Sequence, residues 1–498
     1  MSRSLLAGAT ALTLALVSGC GMSLSLPSRD GPTTLPAQPT TINFVDPSTV
    51  PGLTIRTISD DSARTKRAFA SYPVPPDAPA LAARLQKLTD EALRRYDRRP
   101  TTPSPGHVTA SPGAAPSELN IGWQITAASD GVFGVRLRTG ALTGGAWRNS
   151  LDTVWYDQTT RRVHNSSDLL KDQKALGTLA ALVKNRLWKL GAGVRPDAIG
   201  PDGAMFDSIN FNPHGDLVAE FDDDQVASGR MGRIAVAIPM NEAKPLLSGF
   251  GARVMHAVDS ATPDTLPDTP PPQATPTPGL QSPEGASADC SITRCVALTF
   301  DDGPGGATER LMAILAEYRA RATFFTVGQN AEARPDLLRR LSAAGHLVAG
   351  HSWSHRDLDS LNIRQISDEL GRTQIAIGAA TGRTPGLMRA PYGHVTDKVI
   401  IAARALGLSI VGWNVDTADA RDDDPAAVTR RAVDGVRPGA VVLMHECGRA
   451  TLRALPRILS ALAARGYAFV TVPELYASSG MLPGHIYTEG AKPARLDG

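Results

Sequence analysis

From Val296 onward the chain alternates, at short and regular intervals, between apolar runs of strand length and amphipathic stretches of helical period, and this alternation restricts the fold more than any other feature. The runs "CVALTF", "ATFFTVG", "LVAGH", "LMRAPYG", "LSIVGWNVD", "GAVVLMH" and "AFVTVPEL" read as strands. Between them "ATERLMAILAEYR", "PDLLRRLSAAG", "IRQISDELGRTQIAIGAATG", "DKVIIAARALG", "PAAVTRRAVDGV" and "ATLRALPRILSALAARG" read as helices. Strand and helix repeat about seven times, which predicts a parallel sheet closed into a barrel. Catalytic groups of such a barrel gather at the carboxyl ends of its strands.

Those ends carry ionisable residues one after another: Asp301 and Asp302, His351 and His355, Arg389, Asp416 and Asp419, and His445. Singly, each has an ordinary structural role, as helix cap, surface histidine or salt-bridge partner; their joint occurrence at successive strand ends points to a site. In "HSWSH" the two imidazoles are four residues apart, so one helical turn would present both on one face, with Asp302 as a third ligand. Two nitrogens and one oxygen leave a coordination position open, the pattern of a catalytic rather than a structural metal. Zinc is the default ion, and cobalt, manganese or nickel suit the same donors. In "TFDDGP" the neighbouring Asp301 is then placed to accept a proton from water, and Gly303-Pro304 turns the chain so that both carboxylates face the cavity.

The ordered motifs "TFDDGP", "HSWSH", "RAPYG", "DTAD" and "LMH" resemble those of the NodB-homology polysaccharide deacetylases, carbohydrate esterase family 4, over about residues 294–477. The resemblance implies a distorted (β/α)7 barrel with Asp301 as general base and Asp302, His351 and His355 as ligands of one divalent metal. It further implies that Arg389 orients and acidifies Asp301, that the Tyr392 backbone amide helps hold the oxyanion, and that His445, kept protonated by Asp419, serves the leaving amine. Leu443 would line the pocket for the acetyl methyl, with Asp416 in support. Two positions depart from the family pattern. Ala420 stands where a groove-wall tryptophan is usual, and Glu446-Cys447-Gly448 follows His445, which brings Cys447 near the site.

Ahead of the barrel, Arg3 and the apolar stretch Leu5 to Val17 read as an export signal, residues 1–19, too short to span a bilayer as a mature helix. It ends in Leu-Val-Ser-Gly before Cys20, which resembles a bacterial lipobox; the resemblance implies acylation of Cys20 and attachment to the cell membrane, facing the wall or periplasm. Residues 20–41 form a Ser, Pro and Thr-rich tether. The Pro/Thr-rich run "DSATPDTLPDTPPPQATPTPGLQSPEGASA" marks a linker, 258–289, before the barrel domain at 290–480 and a tail at 481–498. Between tether and linker, residues 42–257 mix alternating strands ("ITAASDGVFGVRLRTG", "LDTVWYDQTTRRV", "DLVAEFDD", "RIAVAIPM") with helical runs ("LAARLQKLTDEALRRY", "ALGTLAALVKNRLWKL"), a smaller α+β domain. Arg99 to Pro116 is expected to be an exposed loop within it. The stretch from Phe211 to Gly251 resembles the closing part of a domain of unknown function in RsiV-type anti-sigma factors, which implies a protein or glycan ligand or a spacer role.

Cys290 and Cys295 can bridge a small loop before "CVALTF"; a zinc pair is the rival arrangement, lacking a second cysteine pair. With 51 basic against 49 acidic residues the formal charge of +2 offers no broad attraction for nucleic acid. The expected activity is removal of N-acetyl groups from an envelope glycan, foremost peptidoglycan amino sugars. Chitin oligomers and acetylxylan are the alternative substrates, and an inactive glycan-binding or envelope-sensing lipoprotein is the reading of another class.

Overall fold

A computed structural model of the chain describes residues 40–63, 66–98, 117–143, 146–189, 193–227, 233–259, 288–448 and 450–490. The export signal, Cys20, nearly all of the tether, the Arg99 to Pro116 segment and most of the linker lie outside these residues.

The N-terminal domain begins with a sheet of strands β1 (Thr54–Ala63), β2 (Lys66–Val74), β3 (Ser117–Ser129), β4 (Val132–Thr143), β5 (Ala146–Asp157) and β6 (Arg162–Asn165), adjacent in chain order. All neighbours are antiparallel except β2 and β3, which run parallel with Arg67 opposite Glu118 and Phe69 opposite Asn120. Parallel neighbours need a crossover, supplied here by the helix Pro79–Asp97. Because strand side chains alternate, Ala68, Ala70, Leu119 and Ile121 pack on Ala92 and Tyr96 of that helix. Arg67, Phe69, Glu118 and Asn120 are left to point the other way, at the barrel. A second sheet, β7 (Ser208–Phe211), β8 (Leu217–Phe221) and β9 (Ile234–Ile238), buries one core with the helices Gln173–Trp188 and Gly249–Asp259.

The barrel strands are β10 (Cys295–Gly303), β11 (Thr323–Thr326), β12 (Leu347–Gly350), β13 (Leu387–Met388), β14 (Ser409–Val411), β15 (Val415–Asp416), β16 (Ala440–His445), β17 (Ala468–Phe469) and β18 (Ile486–Tyr487). Their order is β15-β16-β10-β11-β12-β13-β14-β18, every pair is parallel, and β17 adds to β10. Amphipathic helices, among them Thr308–Glu317, Ile363–Thr381 and Thr451–Ala464, cover the sheet and share a core with β10, β11 and β16.

The ladder runs from β15 to β18 and curls into the expected distorted barrel, with backbone bonds across its seam: Gly490 N donates to Gly439 O at 2.8 Å and Asn414 N to Val441 O at 3.2 Å. The distortion lies at Gly412 to Asn414, where the chain leaves the sheet after β14. The Arg389 guanidinium takes the carbonyls of Val411 and Gly412 at 3.2 and 2.9 Å, and the Gly412 amide donates to Tyr487 O at 2.8 Å. A side chain and a late strand thus satisfy backbone groups that the ladder would otherwise leave unpaired there. The sheet therefore includes Ile486–Tyr487, beyond the boundary at 480 assigned from sequence. Cys290 and Cys295 are joined in a disulfide, which accounts for their pairing without a zinc ion.

Candidate active site

Adjacent residues of a regular strand face opposite ways, so Asp301 and Asp302 can share a cavity only if the strand is broken between them. It is. Asp301 keeps its ladder position opposite Phe325 and His445, whereas Asp302 has a left-handed backbone (φ 75°) at a register shift between Asp301 and Gly303. Asp301 Oδ2 and Asp302 Oδ1 consequently converge on His351 Nε2, at 3.8 and 3.7 Å. Gly303 must lack a side chain, since a Cβ there would lie 1.7 Å from Glu446 Oε1.

The histidine pair is arranged differently from the expected helical turn. Residues 351–355 form a loop in which Ser352 and His355 are both left-handed (φ 58° and 57°), and this folds the two imidazoles to within 4.9 Å of each other. Non-glycine residues seldom adopt this conformation, so two in five residues mark a loop held by its surroundings. His351 Nδ1 donates to Arg389 O at 2.8 Å, which leaves Nε2 bare toward the carboxylates. Burial, opposed by Asp301 and Asp302, lowers His351 to about 4, so the ring is neutral, as a metal ligand must be. His355 Nε2 stands 3.1 Å from Asp302 Oδ1.

Asp302, His351 and His355 are all buried, and their ligand atoms lie within 4.8 Å of one another. Asp302 Oδ1, fully buried, makes no well-directed hydrogen bond. Burial works against its charge, yet the surrounding imidazoles hold the carboxyl far below the usual range. A buried anionic oxygen facing two imidazole nitrogens, with nothing bonded between them, fits a divalent cation.

Asp301 is fixed by Arg389, whose Nη1 donates to Asp301 Oδ1 and to Thr299 Oγ1, both at 2.8 Å. With its other nitrogens on the carbonyls already named and its plane 4.2 Å above the Phe325 ring, the guanidinium has one orientation. Asp301 Oδ2 remains for chemistry. Across the cavity His445 Nδ1 donates to Asp419 Oδ1 at 2.9 Å, and Asp419 Oδ2 accepts the His445 amide at 2.7 Å and the Thr451 hydroxyl. Burial alone would lower the imidazolium, but the Asp419 carboxylate overrides it and raises His445 to about 10. Leu443, Tyr392, Trp413 and Asp416 complete the lining, and the free space is 40 Å³.

Sequence reasoning missed Trp413, which lines the cavity from a run taken only as an apolar strand. Glu446 is buried and pushed up to about 8 by desolvation, and it accepts a hydrogen bond from Thr308. Cys447 is not among the clustered ligands; its thiol donates to Asp302 Oδ2 at 3.4 Å.

The larger omission is the N-terminal domain. Phe69 stacks on His355 with ring centroids 4.2 Å apart and planes 13° from parallel. Arg67 pairs with Asp357 at 2.5 Å, contacts both ring nitrogens of His394, and lies 4.8 Å over the Tyr392 ring. Glu118 accepts the Asp357 amide, Asn120 donates to Ser354 O at 2.7 Å, and Ser59 reaches the catalytic cavity itself. No signal in β1, β2 or β3 distinguished these residues from those of an ordinary sheet.

A (β/α) barrel bearing a three-ligand cation site between a clamped carboxylate and an imidazolium has the layout of a metal-assisted hydrolase. The comparisons with known proteins give the family. The description of the polysaccharide deacetylases matches residues 288–411. The chitooligosaccharide deacetylase of a Bradyrhizobium species is 36% identical over 204 residues, covering 38% of this chain and 93% of that protein. The peptidoglycan-N-acetylglucosamine deacetylase PgdA of Listeria monocytogenes is 38% identical over 182 residues, 36% of this chain and only 38% of its own length. The peptidoglycan-N-acetylmuramic acid deacetylase PdaC of Bacillus subtilis is 25% identical over 398 residues, 78% of this chain and 81% of that protein. The chain belongs to the polysaccharide deacetylase family.

Proposed function

We propose that this protein removes acetyl groups from the amino sugars of an envelope glycan, with peptidoglycan as its substrate. The observation that carries the reading is the convergence of Asp301, His351, His355 and His445 on one cavity, with Asp302 grouped beside the two histidines and Arg389 bonded to Asp301. The peptidoglycan activities named for two of the relatives support the choice of polymer.

Asp302, His351 and His355 would hold the cation, zinc by donor type, with cobalt, manganese or nickel as substitutes. When bound, such an ion supplies Lewis-acid activation of water and neutralises charge on the acyl oxygen. The chain's own groups do the proton work. Asp301 Oδ2, held by Arg389, takes a proton as water attacks the acetamide carbon. The Tyr392 amide, in a left-handed turn (φ 60°), supplies a backbone N–H toward the developing oxyanion. His445, charged through its bond to Asp419, gives its proton to the nitrogen as the C–N bond breaks, and acetate and a free amine leave. Leu443 forms the apolar side of the cavity, where a methyl group fits. Acylation of Cys20 would keep this chemistry at the membrane surface facing the wall.

Acetate release from purified peptidoglycan tests the reading. The full chain releases acetate, and Asp301→Asn, which keeps the three ligands, loses about 10²–10⁴-fold in rate. Unchanged release by Asp301→Asn rejects the assigned mechanism; no release by the folded, zinc-loaded wild type rejects the substrate.

A further inference from the structure

A cavity of 520 Å³ lies between the two domains and shares no lining residue with the catalytic one. Its barrel wall includes Ser354 and Arg356, the residues on either side of His355, and its other wall is the polar face of the N-terminal sheet. The space suits a disaccharide-sized ligand.

The state of its polar atoms says what kind. Trp147 Nε1, Arg356 Nε and Arg372 Nε are buried in this wall without a hydrogen-bond acceptor. Among the described residues of this wall no acceptor atom is buried and unmatched, so the unmet demand there is for acceptors, and two of the three donors sit on cations. The guanidiniums cannot turn freely to find partners: Arg356 is stacked 4.2 Å from the Trp147 ring and Arg372 3.9 Å from the Trp353 ring. Arg138 and Arg364 add positive charge. Glu332, Asp368 and Glu369 set three carboxylates against these four arginines, and both oxygens of Glu369 already accept from the Ser354 amide and hydroxyl, at 2.8 and 2.7 Å. Buried donors left unmet cost free energy, and a carboxylate is the acceptor that repays it best beside guanidinium.

We propose that this interdomain cavity is a second glycan site, which takes a sugar unit bearing a carboxylate. The inference rests on the proposed glycan substrate and narrows it to strands freed of their stem peptides, because neutral N-acetylglucosamine oligomers lack the group and the lactyl ether of N-acetylmuramic acid carries it as a free carboxylate once the peptide amide is gone. The N-terminal domain then contributes half of a binding site.

Calorimetric titration of the full chain carrying Asp301→Asn, with two probes, tests this. The probes are the N-acetylglucosaminyl-N-acetylmuramic acid disaccharide with a free carboxylate and the neutral N-acetylglucosamine dimer. The acidic disaccharide binds about tenfold more tightly, and the preference falls toward unity in Arg138→Gln and separately in Trp147→Phe, which removes the indole N–H while keeping an aromatic ring for Arg356. Two variants guard against one failing to fold, checked by near-ultraviolet circular dichroism. Equal binding of the two probes, or a preference that survives both substitutions, overturns the second site. Wild-type acetate release, measured separately, decides the deacetylase reading whichever way the titration falls.

Discussion

Phe69 of the N-terminal sheet lies flat against the imidazole of His355, 4.2 Å between centroids, and the Nδ1 of that ring has no hydrogen-bond partner. Metal-binding histidines are ordinarily oriented by a hydrogen bond from the distal nitrogen. Here the rings of Phe69, Tyr392 and His351 do that work. Phe69→Ala should therefore loosen His355 and weaken zinc affinity about tenfold or more, read by competition with a chromogenic chelator. Phe69→Tyr, which keeps the ring, restores it. Equal zinc affinity in Phe69→Ala would mean that the barrel alone fixes the ligand.

The Asp419–His445 pair sets a pH dependence. Because His445 is raised to about 10 from an ordinary value near ~6.5, the pair's contribution to stability is full below about 6.5 and is lost as pH rises through about 10. Asp419→Asn removes the carboxylate and leaves burial, which lowers the imidazolium. The alkaline limb of kcat/KM should move down by more than one pH unit in the variant, and its thermal stability deficit should shrink as pH approaches 10. A limb that stays in place would remove His445 from the proton-donor role.

Much of this site was legible because each barrel strand ends in a residue that a buried sheet would not otherwise carry. Asp301, Asp302, Arg389 and His445 could be placed in one cavity from strand order alone. The backbone that aims them could not. The i, i+4 spacing of His351 and His355 suits a helix, and only a loop with two left-handed residues brings them together otherwise. The place where the barrel is distorted was not legible in the strand pattern, because the carbonyls of Val411 and Gly412 are satisfied by Arg389, a side chain, rather than by a strand. Phe69 was invisible for a different reason: a phenylalanine in an alternating strand is expected in its own domain's core, and here it serves the neighbouring domain.

Gly303 gives a structural prediction. The carboxyl of Glu446 fills the place a Cβ would take, and its hydrogen bond to Thr308 and the backbone bond from Glu446 N to Asp301 O at 2.9 Å tie that place to the catalytic strand. Gly303→Ala should destabilise the protein by about 1–3 kcal/mol, seen as a lower melting temperature, with activity reduced further than stability explains. A melting temperature equal to the wild type would show that Glu446 moves aside at no cost.

Asp302, His351 and His355 would hold a divalent cation that the proposed deacetylation of peptidoglycan requires. Acetate release from purified peptidoglycan is measured with the protein before chelation, after chelator and dialysis, and after return of one equivalent of zinc. Release, its loss with the metal, and its recovery with zinc are expected, with no recovery in His351→Ala. Release that continues unchanged after the metal has been removed, verified by elemental analysis, would contradict that requirement.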